Sequence, residues 1–217
     1  ASSLAQPSGA RGGAAGGSGA ERGGVLLLNL GGPDGLEDVQ PFLYRLFADP
    51  DILRLPRPLT ALQPTLASIV SQLRAPRSRA AYESIGGGSP LRQETDSQAR
   101  ALKEVLRAQG CEAECYVGMR YSFPFVEDAM AEIKRDGVDR LVIVPLYPQF
   151  SISTSGSSLR LLEDIMKRDA LLSGLQHTVI PSWYQRRGYV CAMANAIERS
   201  LREMGDGTGG GGGDEAG

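Results

Sequence analysis

The stretch VLLLNLGGP, residues 25–33, decides the fold. Val25 to Leu30 is apolar at every position except Asn29, so a strand built from it is apolar on both faces. Such a strand belongs in the middle of a parallel sheet covered by helices on both sides. Gly31, Gly32 and Pro33 then end it in a tight turn into a helix. A phosphate loop is the weaker reading of these glycines. There is no G-x-G-x-x-G, no Lys-Ser or Lys-Thr follows, and Pro33 has no N–H to offer an anion. A turn that lets a flat ligand approach the backbone is the better one.

Working outward, helices and strands alternate. A helix starts at Asp34 or Gly35, with Val39, Phe42, Leu43, Leu46 and Phe47 at helical spacing, and Asp49-Pro50 and Pro56 end that unit. Leu59, Leu62, Leu66, Ile69, Val70 and Leu73 form one apolar stripe, which Pro64 interrupts into two predicted short helices. Ser89-Pro90 opens a helix with Leu91, Ala99, Leu102, Val105 and Leu106 on one face. Strands are predicted at 113–119, 140–146 and 178–181, and helices at 124–135, 155–167 and 185–204. This is an α/β pattern, an open parallel sheet flanked by helices. Ligands in such folds bind beyond the carboxyl ends of the strands. The segments of interest are therefore Gly31-Gly32-Pro33, Arg120-Tyr121-Ser122 and residues 147–158.

Composition narrows the function classes. The net charge of −2 over 217 residues points away from nucleic acid. No run of 18 apolar residues suggests a membrane-spanning helix. Eight of the 28 glycines lie in residues 1–24 and eight in 205–217, so both ends are predicted to be disordered around a folded part at 25–204. The first 24 residues have the Ala, Ser, Gly and Arg content of a transit-peptide remnant, and composition alone fits a plain flexible end equally well. Cys111 and Cys115 have no second pair or nearby His to complete a zinc site, and Cys191 falls in a helical pattern and reads as core. His177, the only histidine, has no acidic or thiol partner nearby in sequence, which leaves the chain without an evident general base.

Three groups of polar residues follow strands or open helices. Gly86-Gly87-Gly88-Ser89-Pro90 leads into a helix, and its N–H groups can hold an anion or do no more than form a loop. Arg120 and Tyr121 stand just past the second strand, where a cation and a phenol suit a polar site, although a surface Arg beside a packed Tyr fits as well. The hydroxyl-rich run 151–158 predicts a helix cap through Ser155 or Ser157.

Five segments in order resemble the ferrochelatases, most closely those of plants and cyanobacteria: VLLLNLGGPDGLEDVQPFLYRLFADPDILRLP, YESIGGGSPLRQETDSQA, YVGMRYSFPFVEDAM, LVIVPLYPQFSISTSGSSLRLLE and HTVIPSWYQRRGY. The resemblance spans residues 25–204. It implies one Rossmann-like lobe of a two-lobed chelatase fold, the N-terminal half, with a porphyrin cleft between the lobes. It also implies insertion of ferrous iron, a substrate, into protoporphyrin IX. By position, Leu30, Arg74, Tyr82 and Ser89 match residues of the porphyrin pocket. Arg120 and Tyr121 match a pair beside the metal-insertion site, where Tyr121 is expected to offer an oxygen to the metal. The stripe from Leu59 to Leu73 matches a lip that approaches the membrane. The family's catalytic His, in a Ser-Ala-His-Gly-type motif, and its acidic proton acceptor have no counterpart here, so the chain is expected to be an inactive fragment on its own. Ile152 stands where some relatives carry the first cysteine of an iron–sulfur cluster, so no cluster is expected. The plant-like motifs imply a plastid location, with the mitochondrion as the alternative.

Overall fold

The computed structural model describes residues 22–206, so most of both glycine-rich ends lies outside the described residues. Its centre is β1 (Gly23–Asn29), flanked by β2 (Ala113–Met119) and β3 (Arg140–Pro145), with β4 (Gln176–Val179) on the edge beyond β3. All neighbours pair in parallel, and Leu26 faces both Tyr116 and Ile143 across the ladder. The helices are α1 (Val39–Ala48), α2 (Gln63–Glu83), α3 (Leu91–Ala108), α4 (Val126–Arg135), α5 (Ser157–Arg168), the single turn α6 (Ala170–Ser173) and α7 (Arg187–Asp206). The chain leaves β1 toward β2 on one side and returns to β3 on the other, so the strand order reverses beside β1. A crevice at the carboxyl ends of the strands is the physical consequence of that reversal.

The apolar run of β1 is buried on both faces, as a central strand requires. Leu26 and Leu28 pack with Val126, Met130 and Ile133 of α4 and with Leu162 of α5. Val25 and Leu27 face the other way, toward Ala99 of α3. Each fully buried aliphatic side chain contributes about 1.5–3 kcal/mol of transfer free energy. A third cluster, Val39, Phe42, Leu43, Ala75 and Tyr121, forms where α1 and α2 close over the end of the sheet.

Several boundaries differ from the sequence reading. β1 starts at Gly23, because Gly23 and Gly24 already pair with both neighbours, and glycine carries no apolar signal. Arg22 is bonded too, through its amide to Asp139 (2.9 Å) and its guanidinium to the Asp136 carbonyl (2.7 Å). Residues Arg57–Leu62 form a 3-10 helix, and α2 is then one helix of 21 residues. Pro64 sits in its first turn, where a missing N–H costs no hydrogen bond, so it starts this helix instead of dividing it. The buried face of α2 is Gln63, Ala67, Ser71 and Ala75, four residues apart; the small Ala67, Ser71 and Ala75 let α1 approach, and Gln63 donates to the Phe47 and Leu53 carbonyls. Leu59, Leu62, Ile69 and Leu73 face outward, with Leu73 76% exposed. The helix expected at Ser155 begins as a π-helical turn, Ile152–Gly156, before α5.

Cys191 was expected in the core and is exposed. It lies on α7, where no described residue is buried and Val190, Met193, Ile197, Leu201 and Met204 are all exposed. Helical periodicity identifies an apolar stripe but not whether a neighbour covers it. Cys111 precedes β2 and is exposed, whereas Cys115 is half-buried on the strand, so the two do not share a strand face.

The turn after β1 depends on its glycines. Gly31 has φ 85°, and a side chain there would collide with Ser122. A Cβ on Gly32 would stand 2.5 Å from Cβ of Ser89. Gly32→Ala is therefore expected to destabilise the chain by about 1–3 kcal/mol through overpacking. Ser89→Gly in the same chain should recover much of that loss, as urea unfolding would measure.

Candidate functional site

Three segments meet beyond β1 and β2: the turn 31–33, the loop 86–90, and residues 120–122. The Gly32 N–H donates to Ser122 Oγ (3.1 Å), the Ser89 N–H to the Pro33 carbonyl (2.8 Å), and the Tyr121 N–H to the Leu30 carbonyl (3.0 Å). These bonds decide the roles of both glycine loops. Gly31, Gly32 and Pro33 are buried, the Gly32 amide is occupied, and Ser89 covers the turn where a flat ligand was expected. In the second loop the Gly86 and Gly87 amides donate to the Glu83 and Tyr82 carbonyls (3.2 and 2.9 Å) and so finish α2. Those two amides are not available to an anion.

The sequence-selected residues divide into an apolar and a polar group. Tyr121 is 1% exposed and packs with Val39, Phe42, Leu43 and Ala75, with half-buried Leu30 and Tyr82 against the same cluster. The Phe42 ring meets Tyr121 edge-on at 6.4 Å. Burial raises the Tyr82 pKa above its ordinary value. Arg74 is exposed and its guanidinium lies 5.7 Å over the Phe47 ring, which borders that cluster. Ser89 stands apart from them, against the Gly32 turn. The structure thus joins Leu30, Tyr82 and Tyr121 in one cluster, reaches Arg74 through Phe47, and places Ser89 beside the neighbouring turn.

The polar group converges on Asp49, the last residue before Pro50. Its Oδ2 accepts from Arg120 Nη2 (2.8 Å), the Tyr121 hydroxyl (2.7 Å) and Ser157 Oγ (2.6 Å). Its Oδ1 accepts from the Asp51 amide (2.8 Å). The Asp49 side chain is 2% exposed and that of Arg120 22%. Arg120 Nε also donates to Ser157 Oγ (2.9 Å), and its guanidinium lies 5.1 Å over the Tyr121 ring. Arg120 is therefore not a plain surface side chain, since its carboxylate partner is the buried Asp49. A cavity of ≈ 450 Å³ opens beside the group, lined by Tyr44, Arg45, Asp49, Arg120, Tyr121 and Phe125 among others.

The electrostatics follow from burial and bonding. Burial alone would push the Asp49 carboxyl up, but hydrogen bonds from Ser157, Tyr121 and the Asp51 amide, together with the Arg120 charge, hold it below its ordinary value. Burial, and then the bond to Asp49, push the Tyr121 phenol well above the ordinary range. Asp49 is therefore ionised and Tyr121 neutral near neutral pH. Here the expectation of an open Tyr121 oxygen meets a correction: the hydroxyl is buried and its proton is directed at Asp49. Nearby, the hydroxyls of Tyr147, Ser155 and Ser158 are buried without a hydrogen-bond partner. His177 is exposed on the edge strand, with Nδ1 3.0 Å from the Leu175 carbonyl oxygen. Among the described residues no group of three or more His, Cys, Asp or Glu is arranged to hold a metal ion.

The ferrochelatase family model matches residues 22–210. The chain belongs to the ferrochelatase family. It is 64% identical over 184 residues to the chloroplastic ferrochelatase-2 of Oryza sativa subsp. japonica, covering 85% of this chain and 35% of that protein. It is 58% identical over 183 residues to the chloroplastic/mitochondrial ferrochelatase-1 of Arabidopsis thaliana, covering 84% and 39%. It is 57% identical over 178 residues to a ferrochelatase of Gloeobacter violaceus, covering 82% and 54%. The chain thus spans between about a third and about a half of the length of these curated relatives.

Asp49 is the residue of this ferrochelatase lobe that sequence reasoning missed, since it reads there as a helix stop. One signal existed. A carboxylate at a helix C-terminus opposes the helix dipole, so an acid at that position calls for a compensating partner. Ser157 was expected as a cap and instead bonds Asp49, with no side-chain cap on α5.

Because the folded pKa of Asp49 lies below its ordinary 3.8, its stabilisation is complete above that value and is lost as pH falls through the lower folded one. Asp49→Ala removes a buried ion-pair partner and is expected to cost about 3–5 kcal/mol at pH 7. The difference from wild type should shrink below pH 3.8, as denaturant unfolding at a series of pH values would measure.

Proposed function

We propose that this chain is one lobe of an enzyme that inserts ferrous iron into protoporphyrin IX to form protohaem. The observation that carries the reading is the family match over residues 22–210, together with the convergence of the matched segments at one edge of the sheet. Leu30 and Tyr82 give the macrocycle an apolar wall, Ser89 borders it, and exposed Arg74 is the cation suited to a propionate. Arg120 and Tyr121 form the metal-insertion side. A guanidinium keeps its charge at working pH and is a poor ligand for a cation, so Arg120 orients its neighbours and sets the local field. Tyr121 stays neutral and contributes its ring and its bond to Asp49 rather than a free oxygen.

Insertion requires a bent macrocycle and removal of two N–H protons. The lobe supplies one wall for the first task. The base for the second comes from elsewhere in the full-length enzyme, since His177 is exposed on the far edge strand. The second lobe suits the uncovered apolar stripe of α7. No iron–sulfur cluster belongs to this reading, because Ile152 occupies the position of its first cysteine in some relatives. The relatives from rice and Arabidopsis carry chloroplastic names, which supports a plastid location. The outward leucines of residues 57–83 support peripheral contact with a membrane, where an apolar porphyrin resides.

Zinc or iron insertion into protoporphyrin measures the activity directly. The full-length protein should turn over and the 217-residue chain alone should not. Porphyrin bound without turnover by the full-length protein would favour a tetrapyrrole-binding module instead. In the full-length enzyme Arg120→Leu should lower kcat about 10-fold, roughly 1.4 kcal/mol of transition-state stabilisation, with little change in porphyrin binding. Retained turnover with lower thermal stability would make Arg120 purely structural. Leu62→Glu with Leu73→Glu should reduce co-sedimentation with lipid vesicles while leaving turnover on detergent-dispersed porphyrin in place.

A further inference from the structure

The turn Asp49-Pro50-Asp51 carries two carboxylates, and both reach the same distant element. Asp49 accepts from Ser157 at the start of α5 (2.6 Å). Asp51 accepts from Arg160 Nε (2.9 Å), and Arg160 Nη2 also donates to the Ile152 carbonyl (3.3 Å). Ser157 and Arg160 are three apart on a helix and share a face, so the acidic turn clamps the first turn of α5 through two adjacent contacts. The oxygen of Asp49 that holds Ser157 also holds Arg120 and Tyr121. Arg120 Nε closes the ring onto Ser157, so the guanidinium is held side-on through Nε and Nη2 and its plane is fixed.

No neutral side chain reproduces this arrangement. Asn at position 49 has one acceptor oxygen and one NH₂ group. Turning the oxygen to Arg120, Tyr121 and Ser157 points the NH₂ at the Asp51 amide, donor against donor. Turning it the other way sets the NH₂ against the Arg120 guanidinium, which has no acceptor, and forces the Tyr121 and Ser157 hydroxyls to give up the bonds they donate.

We infer that Asp49 is a positioning residue for metal insertion: it acts through Arg120 and Tyr121, fixing the guanidinium at the rim and the phenol inside, on a turn steadied by Asp51 and Arg160. The role in insertion rests on the ferrochelatase reading above; the fixing of Arg120 does not.

Two measurements test it. In the full-length enzyme, Asp49→Asn should lower kcat about 10-fold with the porphyrin KM unchanged within about twofold, and adding Arg120→Leu should cost less than about a further twofold. Losses that multiply in the double variant, or wild-type kcat with a lower Tm only, would overturn the inference. In the 217-residue chain, the Arg120 Nε–H resonance should exchange with water at least about tenfold faster in Asp49→Asn than in wild type. An unchanged exchange rate would overturn it whatever the turnover shows. If the wild-type enzyme inserts no metal, the functional reading fails, and the exchange measurement alone decides whether Asp49 fixes Arg120. Should Asp49→Asn not fold, Asp51→Asn releases the turn while leaving Asp49 in place. It should speed the same exchange and lower kcat by a smaller factor, and no change in either would count against the clamp.

Discussion

A carboxylate held out of water must be matched by donors, and Asp49 is matched by four. Three are side chains from segments 71, 72 and 108 residues away in sequence, and the fourth is the Asp51 amide two residues on. Removing an ion's partners in such a setting leaves a buried charge whose desolvation is uncompensated, which is why buried pairs cost so much to break. The end of α1, the segment after β2 and the start of α5 are therefore joined through one side chain. The sheet edge places the Arg120 and Tyr121 backbone, and that junction orients the guanidinium and the hydroxyl.

The apolar frame makes the junction possible. β1 is covered on both faces, so its end is rigid, and Leu30 leaves it at a defined point beside Tyr121. The glycine turn that follows admits Ser89 and Ser122 at distances that a side chain would forbid. Gly31 and Gly32 thus let one loop pack against the next. The polar contacts gather at Asp49, Arg120 and Ser157, and Leu30, Tyr82 and the Tyr121 ring pack in the apolar cluster beside them.

Two apolar stripes remain on the outside. In residues 57–83, Leu59, Leu62, Ile69 and Leu73 are exposed because the face of α2 turned to α1 is mostly small, with Ala67, Ser71 and Ala75 buried there. That of α7 is exposed because the helix leaves the sheet after β4 without packing on it. Both follow the 3.6-residue period of an amphipathic helix, and among the described residues neither stripe is fully covered. Spacing alone does not separate a core face from a face reserved for another surface.

Residue order alone sets local features. The two-sided apolarity of residues 25–30 dictates a central parallel strand, since no other site buries both faces of so short a segment. The alternation of such runs with amphipathic segments dictates helices on both sides of the sheet. Five motifs in order carry the family. Arg120 and Tyr121 could be picked as candidates because strand polarity and motif matching both point to them, whereas Leu30, Arg74, Tyr82 and Ser89 came from motif matching alone. The tertiary structure alone decided that Asp49 completes the polar group and that Tyr121 turns its hydroxyl inward. It also decided that Ser157 serves a carboxylate rather than a helix end. Each of these is a contact between residues far apart in sequence, with a strength set by mutual desolvation. A one-dimensional pattern holds no record of which donors will share a buried oxygen until the chain has closed around it.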